Sequence, residues 1–418
     1  MKLNRIISFN TAAILFISAN AFAQWGGFDW GGFGGDQSSS TKMEYSQKFA
    51  DVDYVGDGKT FHKLDVYLPK EAKGSYPVVI HTYGSAWSSN NSKGSADLNT
   101  ICAALLDAGY AVVTPNHRSS SDAIFPAQIH DLKAVTRFVR GNADKYKFDT
   151  TFIAASGFSS GAHLSGLLAT TCGDKEGKSR NVSVDLEGSL GSYTSFSSCV
   201  NAASVWSTPT NLYTMTNSFE ETLIGAKRSG NEDKFAVASS TNYVDKDDAP
   251  IIMFHGTSDN VVPPSQSDEL AKLLKDAGVE YDYVKVPGGG HGVNMYSEEN
   301  LKTMVSFLNK AKESSVLDIE VPADSADTEQ PPLDSTTLAR PGSFAQTNGA
   351  IVASALSSGR VQVYGTRGFT YRIVSMNGSV KFGKATDFVD LNRLPSGTYL
   401  VEISTENGNK QILKFTSK

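Results

Sequence analysis

The sequence predicts an α/β chain: a mostly parallel sheet with helices on both faces, followed by a small all-β, sandwich-like C-terminal domain. Three observations carry this. Short apolar runs of strand length alternate with segments of helical apolar spacing as far as residue 312. One such run, 151–155, leads through Gly157-Phe158-Ser159-Ser160-Gly161 straight into a helical stretch at 162–168. Beyond residue 345 only strand signals remain, separated by turns.

Residues 1–23 read as a secretory signal. Lys2 and Arg5 give a positive start, Ala12-Ala13-Ile14-Leu15-Phe16-Ile17 an apolar core, and Ala21-Phe22-Ala23 a cleavage site. Cutting is expected after Ala23, with the protein secreted or held at the cell surface. The apolar core is too short to span a bilayer and no other stretch is long enough, so no transmembrane segment is expected. Residues 24–42 form a glycine- and serine-rich linker carrying Trp25, Phe28, Trp30 and Phe33. A flexible tether and an aromatic surface for sugar rings both remain open for it.

The stretch 43–312 is the predicted catalytic domain. Two strand-like runs before Leu68 turn at Gly56-Asp57-Gly58, and the second alternates as an antiparallel opening strand does. A buried strand follows at 77–82. Leu98, Ile101, Cys102 and Leu105 recur at i, i+3, i+4 and i+7, which predicts a helix ending at Gly109. After a strand at 110–115, Ile129, Leu132, Val135, Phe138 and Val139 mark the next helix, with Asp131 and Arg118 expected as a structural pair. Cys172 and Cys199 bound a glycine- and serine-rich stretch and could pair, a closure worth about 3.5 kcal/mol in the chain-entropy model. Cys102, on the buried stripe of its helix, is expected to be inert. Residues 206–248 should cover the site. Strands at 250–255 and 281–286 and a helix from Ser297, with Leu301, Met304, Val305 and Leu308 on its apolar face, complete the domain. Residues 313–345 form an acidic Pro/Ser/Thr linker, extended by self-repulsion, in which the first basic residue is Arg340. In the C-terminal β domain, 346–418, Asn-Gly pairs at 377–378 and 407–408 predict hairpins.

The chemistry gathers at three turns. In Gly157-Phe158-Ser159-Ser160-Gly161 the glycines let the backbone fold tightly enough to lift Ser159 out of the sheet edge. A serine hydroxyl is a poor nucleophile at neutral pH and needs a base, which in turn needs an orienting acid. Asp259 lies just past a strand, in His255-Gly256-Thr257-Ser258-Asp259-Asn260-Val261-Val262-Pro263, where catalytic loops of α/β sheets collect. His291 stands among glycines in Pro287-Gly288-Gly289-Gly290-His291-Gly292, a loop of close approach. The order Ser159, Asp259, His291 is that of the α/β-hydrolase triad.

These three stretches, with Ala162-His163-Leu164, resemble the esterase/lipase branch of the α/β-hydrolases, nearest to bacterial acetyl and feruloyl esterases and the hormone-sensitive-lipase-like carboxylesterases. The likeness covers roughly residues 45–312 and implies the α/β-hydrolase fold, with Ser159 as nucleophile, His291 as general base and Asp259 as its partner. It also implies an oxyanion hole after the third strand. There Tyr83-Gly84-Ser85-Ala86-Trp87 puts Tyr83 at the family's histidine and Ser85 at a usual glycine. Backbone donors tolerate this departure, so the hole is assigned to the N–H groups of Ser85 and Ser160, with Gly84 as an alternative. The C-terminal domain resembles sorting domains of the type IX secretion route through Val374-Ser375-Met376-Asn377-Gly378-Ser379-Val380, Leu394-Pro395-Ser396-Gly397-Thr398-Tyr399 and the closing Lys414-Phe415. That implies secretion machinery as a partner, while a carbohydrate-attachment role stays open.

A formal charge of −6 without basic clusters argues against nucleic acid. No histidine–carboxylate cluster has metal-ligand spacing and no nucleotide motif is present, so neither metal nor cofactor is expected; His255 and His163 read as structural. The resemblance implies a secreted carboxylic-ester hydrolase acting on acetyl or feruloyl esters of plant polysaccharide or oligosaccharide such as xylan. The alternatives are a prolyl-oligopeptidase-like peptidase with the same triad order, a general carboxylesterase or lipase on small esters, and a non-catalytic binding protein on the same fold.

Overall fold

The computed structural model describes residues 42–317 and, further on, 352–355, 360–364, 369–375, 380–385, 388–391, 397–405 and 410–417. The expected signal, the aromatic linker up to residue 41, the acidic linker from 318 and both Asn-Gly pairs lie outside the described residues. The large sheet has eight strands. In chain order the elements are β1 (Gln47–Asp53), β2 (Lys63–Leu68), β3 (Tyr76–Thr82), α1 (Ala103–Asp107), β4 (Ala111–Pro115), α2 (Ala127–Gly141), α3 (Ala143–Tyr146), β5 (Phe148–Phe158) and α4 (Ser160–Thr170). A small hairpin, β6 (Glu176–Ser179) and β7 (Val182–Asp185), is followed by β8 (Ala202–Trp206), α5 (Phe219–Ile224), α6 (Glu232–Ala236), β9 (Ile251–Gly256), α7 (Ser265–Ala277), β10 (Tyr281–Val286) and α8 (Glu298–Leu317).

The sheet order is β1-β2-β4-β3-β5-β8-β9-β10. β1, β2 and β4 pair antiparallel, and every pairing from β4 to β10 is parallel. Period-2 alternation explains why the strands read as unbroken apolar runs. Val78, Ile80, Ile153, Ala155, Ile251 and Met253 enter one core, under α2, α4 and α7. Their neighbours Val79, Phe152, Ala154, Ile252 and Phe254 enter the other, under α1 and α8. Both faces are therefore covered. β4 lies on one side of β3 and β5 on the other. The loops leaving β3 and β5 thus diverge at the carboxyl edge of the sheet, where such a switch in strand order opens a crevice.

Local departures have local causes. The helix expected from Leu98 opens as a π turn, Leu98–Cys102, with Asp97 before it at φ 46. Its apolar stripe still buries Ile101, Cys102 and Leu105. The last helix continues past Lys312 to Leu317, because 313–317 contain no breaker. The cover over the site contains α5 and α6, and the stretch between the two cysteines contains the β6–β7 hairpin. No helix among the described residues is long and apolar enough to cross a membrane.

The C-terminal strands are β11 (Val352–Ala355), β12 (Arg360–Tyr364), β13 (Phe369–Ser375), β14 (Val380–Ala385), β15 (Phe388–Asp390), β16 (Gly397–Thr405) and β17 (Lys410–Ser417). They form two sheets, β11-β12-β15 and β14-β13-β16-β17. Val389 of the first sheet and Ile373, Val401 and Ile403 of the second are buried. Strands flanking both Asn-Gly pairs are antiparallel partners, as hairpins require.

Candidate active site

The turn after β5 is built around one strained residue. Ser159 has φ 54 and ψ −121, a backbone region that side chains rarely adopt. Its N–H donates to Trp206 O (2.9 Å) and its C=O accepts from His163 N (3.0 Å), which holds the strain from both sides. The flanking glycines are steric requirements: a Cβ on Gly157 would lie 2.4 Å from the Gly161 carbonyl, and one on Gly161 would lie 2.1 Å from Thr82 O.

Ser159 Oγ lies 3.0 Å from His291 Nε2, and His291 Nδ1 lies 2.9 Å from Asp259 Oδ2. The other carboxylate oxygen of Asp259 accepts the N–H groups of Val261 (3.0 Å) and Val262 (2.9 Å). Burial pushes the Asp259 pKa up, but the His291 N–H and charge and these two amides outweigh it, so the carboxyl is held below the ordinary range. An ionised Asp259 only accepts, so His291 carries its proton on Nδ1 and accepts the Ser159 hydroxyl at Nε2. The glycines beside His291 are also explained. A Cβ on Gly256 would sit 2.2 Å from Gly289 O, so the close approach of the β9 and β10 loops at that point requires glycine, and Gly292 has φ 76 against the Phe158 ring.

Two histidines brace this relay. His255 donates from Nε2 to Val262 O (2.8 Å) and accepts the Ser267 hydroxyl at Nδ1 (2.7 Å), which pins the Asp259 loop. His163 accepts Trp87 Nε1 at Nδ1 (3.2 Å) and donates from Nε2 to Ala238 O (2.6 Å). Burial lowers the pKa of both, that of His163 to about 4, so both work as neutral rings. Behind the turn, His81 bridges Ser156 Oγ (3.0 Å) and Asp97 (3.2 Å). His81 and Ser156 are fully buried, and this second His–Asp–Ser arrangement ties β3 to β5.

The loop after β3 departs from expectation. Gly84 lies against the nucleophile turn, since a Cβ there would be 2.9 Å from Ser159 Cβ. Ala86 and Trp87 follow at φ 49 and 55. The Ser85 N–H, expected to face an oxyanion, donates instead to Ser160 Oγ at 2.9 Å. Ser160 therefore contributes more than a backbone amide. The trace in sequence was a pair of serines, one in place of a loop glycine and one directly after Ser159; their contact is long-range and has no periodic signature. Tyr83, at the family's histidine, stacks on His117 (ring centroids 5.0 Å apart) and donates to Ser89 O (3.0 Å), so it braces the loop.

Two further expectations are met at a distance from the relay. Arg118 grips Asp131 through both Nε and Nη2, at 2.7–3.1 Å, and fixes the loop after β4. Cys172 and Cys199 form a disulfide that links the end of α4 to the approach to β8. Cys102 is buried, and burial raises its thiol pKa.

With the geometry in place, similarity to known proteins adds a family. A model described as BD-FAE, an α/β-hydrolase esterase family, matches residues 64–274. Esterase LipQ of Mycobacterium tuberculosis is 29% identical over 256 residues, covering 60% of this chain; the chain spans 58% of that relative's length. Among solved structures, a truncated carbohydrate esterase from gut microbiota is 42% identical with a TM-score of 0.63, over 67% of this chain and 99% of that one. A bifunctional GH43-CE protein of Bacteroides eggerthii is 43% identical with a TM-score of 0.61, over 63% of this chain and 38% of that one.

Proposed function

The chain belongs to the BD-FAE family of α/β-hydrolase esterases, and from that premise we propose that it is an exported serine carboxylic-ester hydrolase that removes acetyl or feruloyl groups from plant cell-wall polysaccharide such as xylan. The observation that carries the chemistry is the Ser159–His291–Asp259 relay, with contacts of 3.0 and 2.9 Å. Ser159 Oγ attacks the ester carbonyl carbon while His291 Nε2 takes its proton, and Asp259 stabilises the imidazolium that results. The tetrahedral oxyanion is received by donors at the start of α4 and on the loop after β3. Collapse breaks the bond to the sugar oxygen, which leaves with the proton from His291. Water, deprotonated by the same ring, then releases the acid from Ser159.

The substrate class is supported by likeness to the two solved proteins named as carbohydrate esterases or carrying such a unit, both above 40% identity. It is supported too by where large apolar side chains are exposed. Ile124 follows β4, Tyr213 and Phe219 follow β8, and Val293 follows β10, all on segments leaving the same carboxyl edge as Ser159. Exposed apolar side chains on these segments suit contact with a sugar ring carrying an ester. Export through the N-terminal signal and delivery through the C-terminal domain belong to the same proposal. Purified protein should release acetate from acetylated xylan or ferulate from methyl ferulate, and should leave an aminoacyl-anilide intact. Cleavage of the anilide alone would replace the esterase reading with a peptidase.

A further inference from the structure

We propose that the Ser160 hydroxyl donates to the oxyanion beside the Ser160 backbone N–H, polarised by the Ser85 amide behind it; this deepens the esterase reading and rests on it. Ser160 is the first residue of α4 and only 1% exposed. Its Oγ accepts the Ser85 N–H at 2.9 Å, and among the described residues its own proton has no protein acceptor. A buried hydroxyl that accepts but does not donate leaves a desolvated donor without a partner, a state proteins seldom keep where nothing will use it. The neighbourhood says what would use it. Ser160 directly follows Ser159, and Gly84, whose amide neighbour makes the bond, packs against Ser159 itself. The missing acceptor belongs where negative charge appears during the reaction.

The arrangement is self-consistent. An amide donating into a hydroxyl oxygen makes that hydroxyl a better donor, because bonds in a chain polarise one another. Ser85 then acts through Ser160 rather than on the substrate, which reconciles the expected role of its amide with the contact observed. The loop is held for this: the Ser85 carbonyl accepts Ser88 N (2.9 Å), and Trp87 is fixed on His163. A serine at both positions is what the arrangement needs, since neither alanine nor glycine at 160 could accept and donate at once.

The test compares Ser160→Ala and Ser160→Thr with wild type, using p-nitrophenyl acetate for turnover and a trifluoromethyl ketone as probe. The ketone adds to Ser159 and leaves a tetrahedral oxyanion, so its affinity reports the donors directly. Alanine here removes a single atom and suits a helix. Ser160→Ala should lower kcat by about 10²-fold, as loss of one such donor does, with KM unmoved and the ketone weakened by a similar factor. Ser160→Thr, which keeps a hydroxyl, should recover most of both. Turnover and ketone affinity in Ser160→Ala within about threefold of wild type would overturn the proposal. So would a loss of kcat with ketone affinity intact, the mark of a loop clamp. A wild-type protein that neither hydrolyses the ester nor binds the ketone would overturn the esterase reading itself.

Discussion

Asp259 shows at the scale of one residue how the site holds its protonation states. Its carboxylate is buried yet kept ionised, because one oxygen faces the His291 N–H and the other two backbone amides. Asp259 therefore stays ionised further into the acid range than an ordinary carboxylate, because its pKa is depressed. Asp259→Asn keeps the shape but offers an amide where His291 needs an acceptor, which favours the wrong tautomer. Turnover should fall about 10⁴-fold at unchanged stability, as with other orienting carboxylates; a steady-state assay beside a melting curve checks this, and near-wild-type turnover would assign the role to another group. Ser159, Asp259 and His291 were legible in sequence because each sits in a local motif with its own backbone demand. The Ser85–Ser160 contact was not, since it joins residues 75 apart with no pattern in either segment.

At the scale of elements, the turn, the loop after β3 and the cover are linked through one buried ring. His163 on α4 holds Trp87 on one side and Ala238 of the cover on the other. Burial lowers its pKa from 6.5 to about 4. The folded pKa lies below the unfolded one, so the unfolded chain takes up the proton first as pH falls. The stability that depends on a neutral ring is complete above about pH 6.5 and lost progressively toward pH 4, about 3 kcal/mol in all. His117 and His255, also lowered, add with the same sign. Gln can accept from Trp87 and donate to Ala238 without titrating. Urea midpoints at pH 7 and pH 4.5 should therefore converge in His163→Gln relative to wild type, and an equal drop in both proteins would place the acid sensitivity elsewhere. Strand and helix types were legible here through periods of 2 and 3.6. The π turn at 98–102 was not, because its apolar spacing is also that of an α-helix.

For the whole molecule, the sheet and both of its cores are built from residues before 318, and among the described residues the C-terminal strands pair with one another within the two smaller sheets. The catalytic part should fold alone. Truncation after Leu317, where α8 ends, should leave turnover on a small soluble ester unchanged, while altering delivery or action on insoluble polysaccharide. Loss of soluble-ester turnover would mean that the two parts depend on each other. The last helix was legible as far as Lys312, but its end was not, because 313–317, read as the start of the acidic linker, carry helix-compatible residues and the helix continues through them. Substrate choice was illegible for a further reason: the cover from 206 to 248 is short helices and loops whose arrangement depends on what they pack against.

Acylation of Ser159 is the step on which the proposed ester hydrolysis depends. Its most direct measurement is intact and peptide mass spectrometry after exposure to diethyl p-nitrophenyl phosphate, which transfers its phosphoryl group to an activated serine. One adduct per chain is expected, on the peptide containing Ser159, formed in step with loss of activity and absent from Ser159→Ala. Inactivation with the adduct on another residue, or ester hydrolysis that persists in Ser159→Ala, would contradict it.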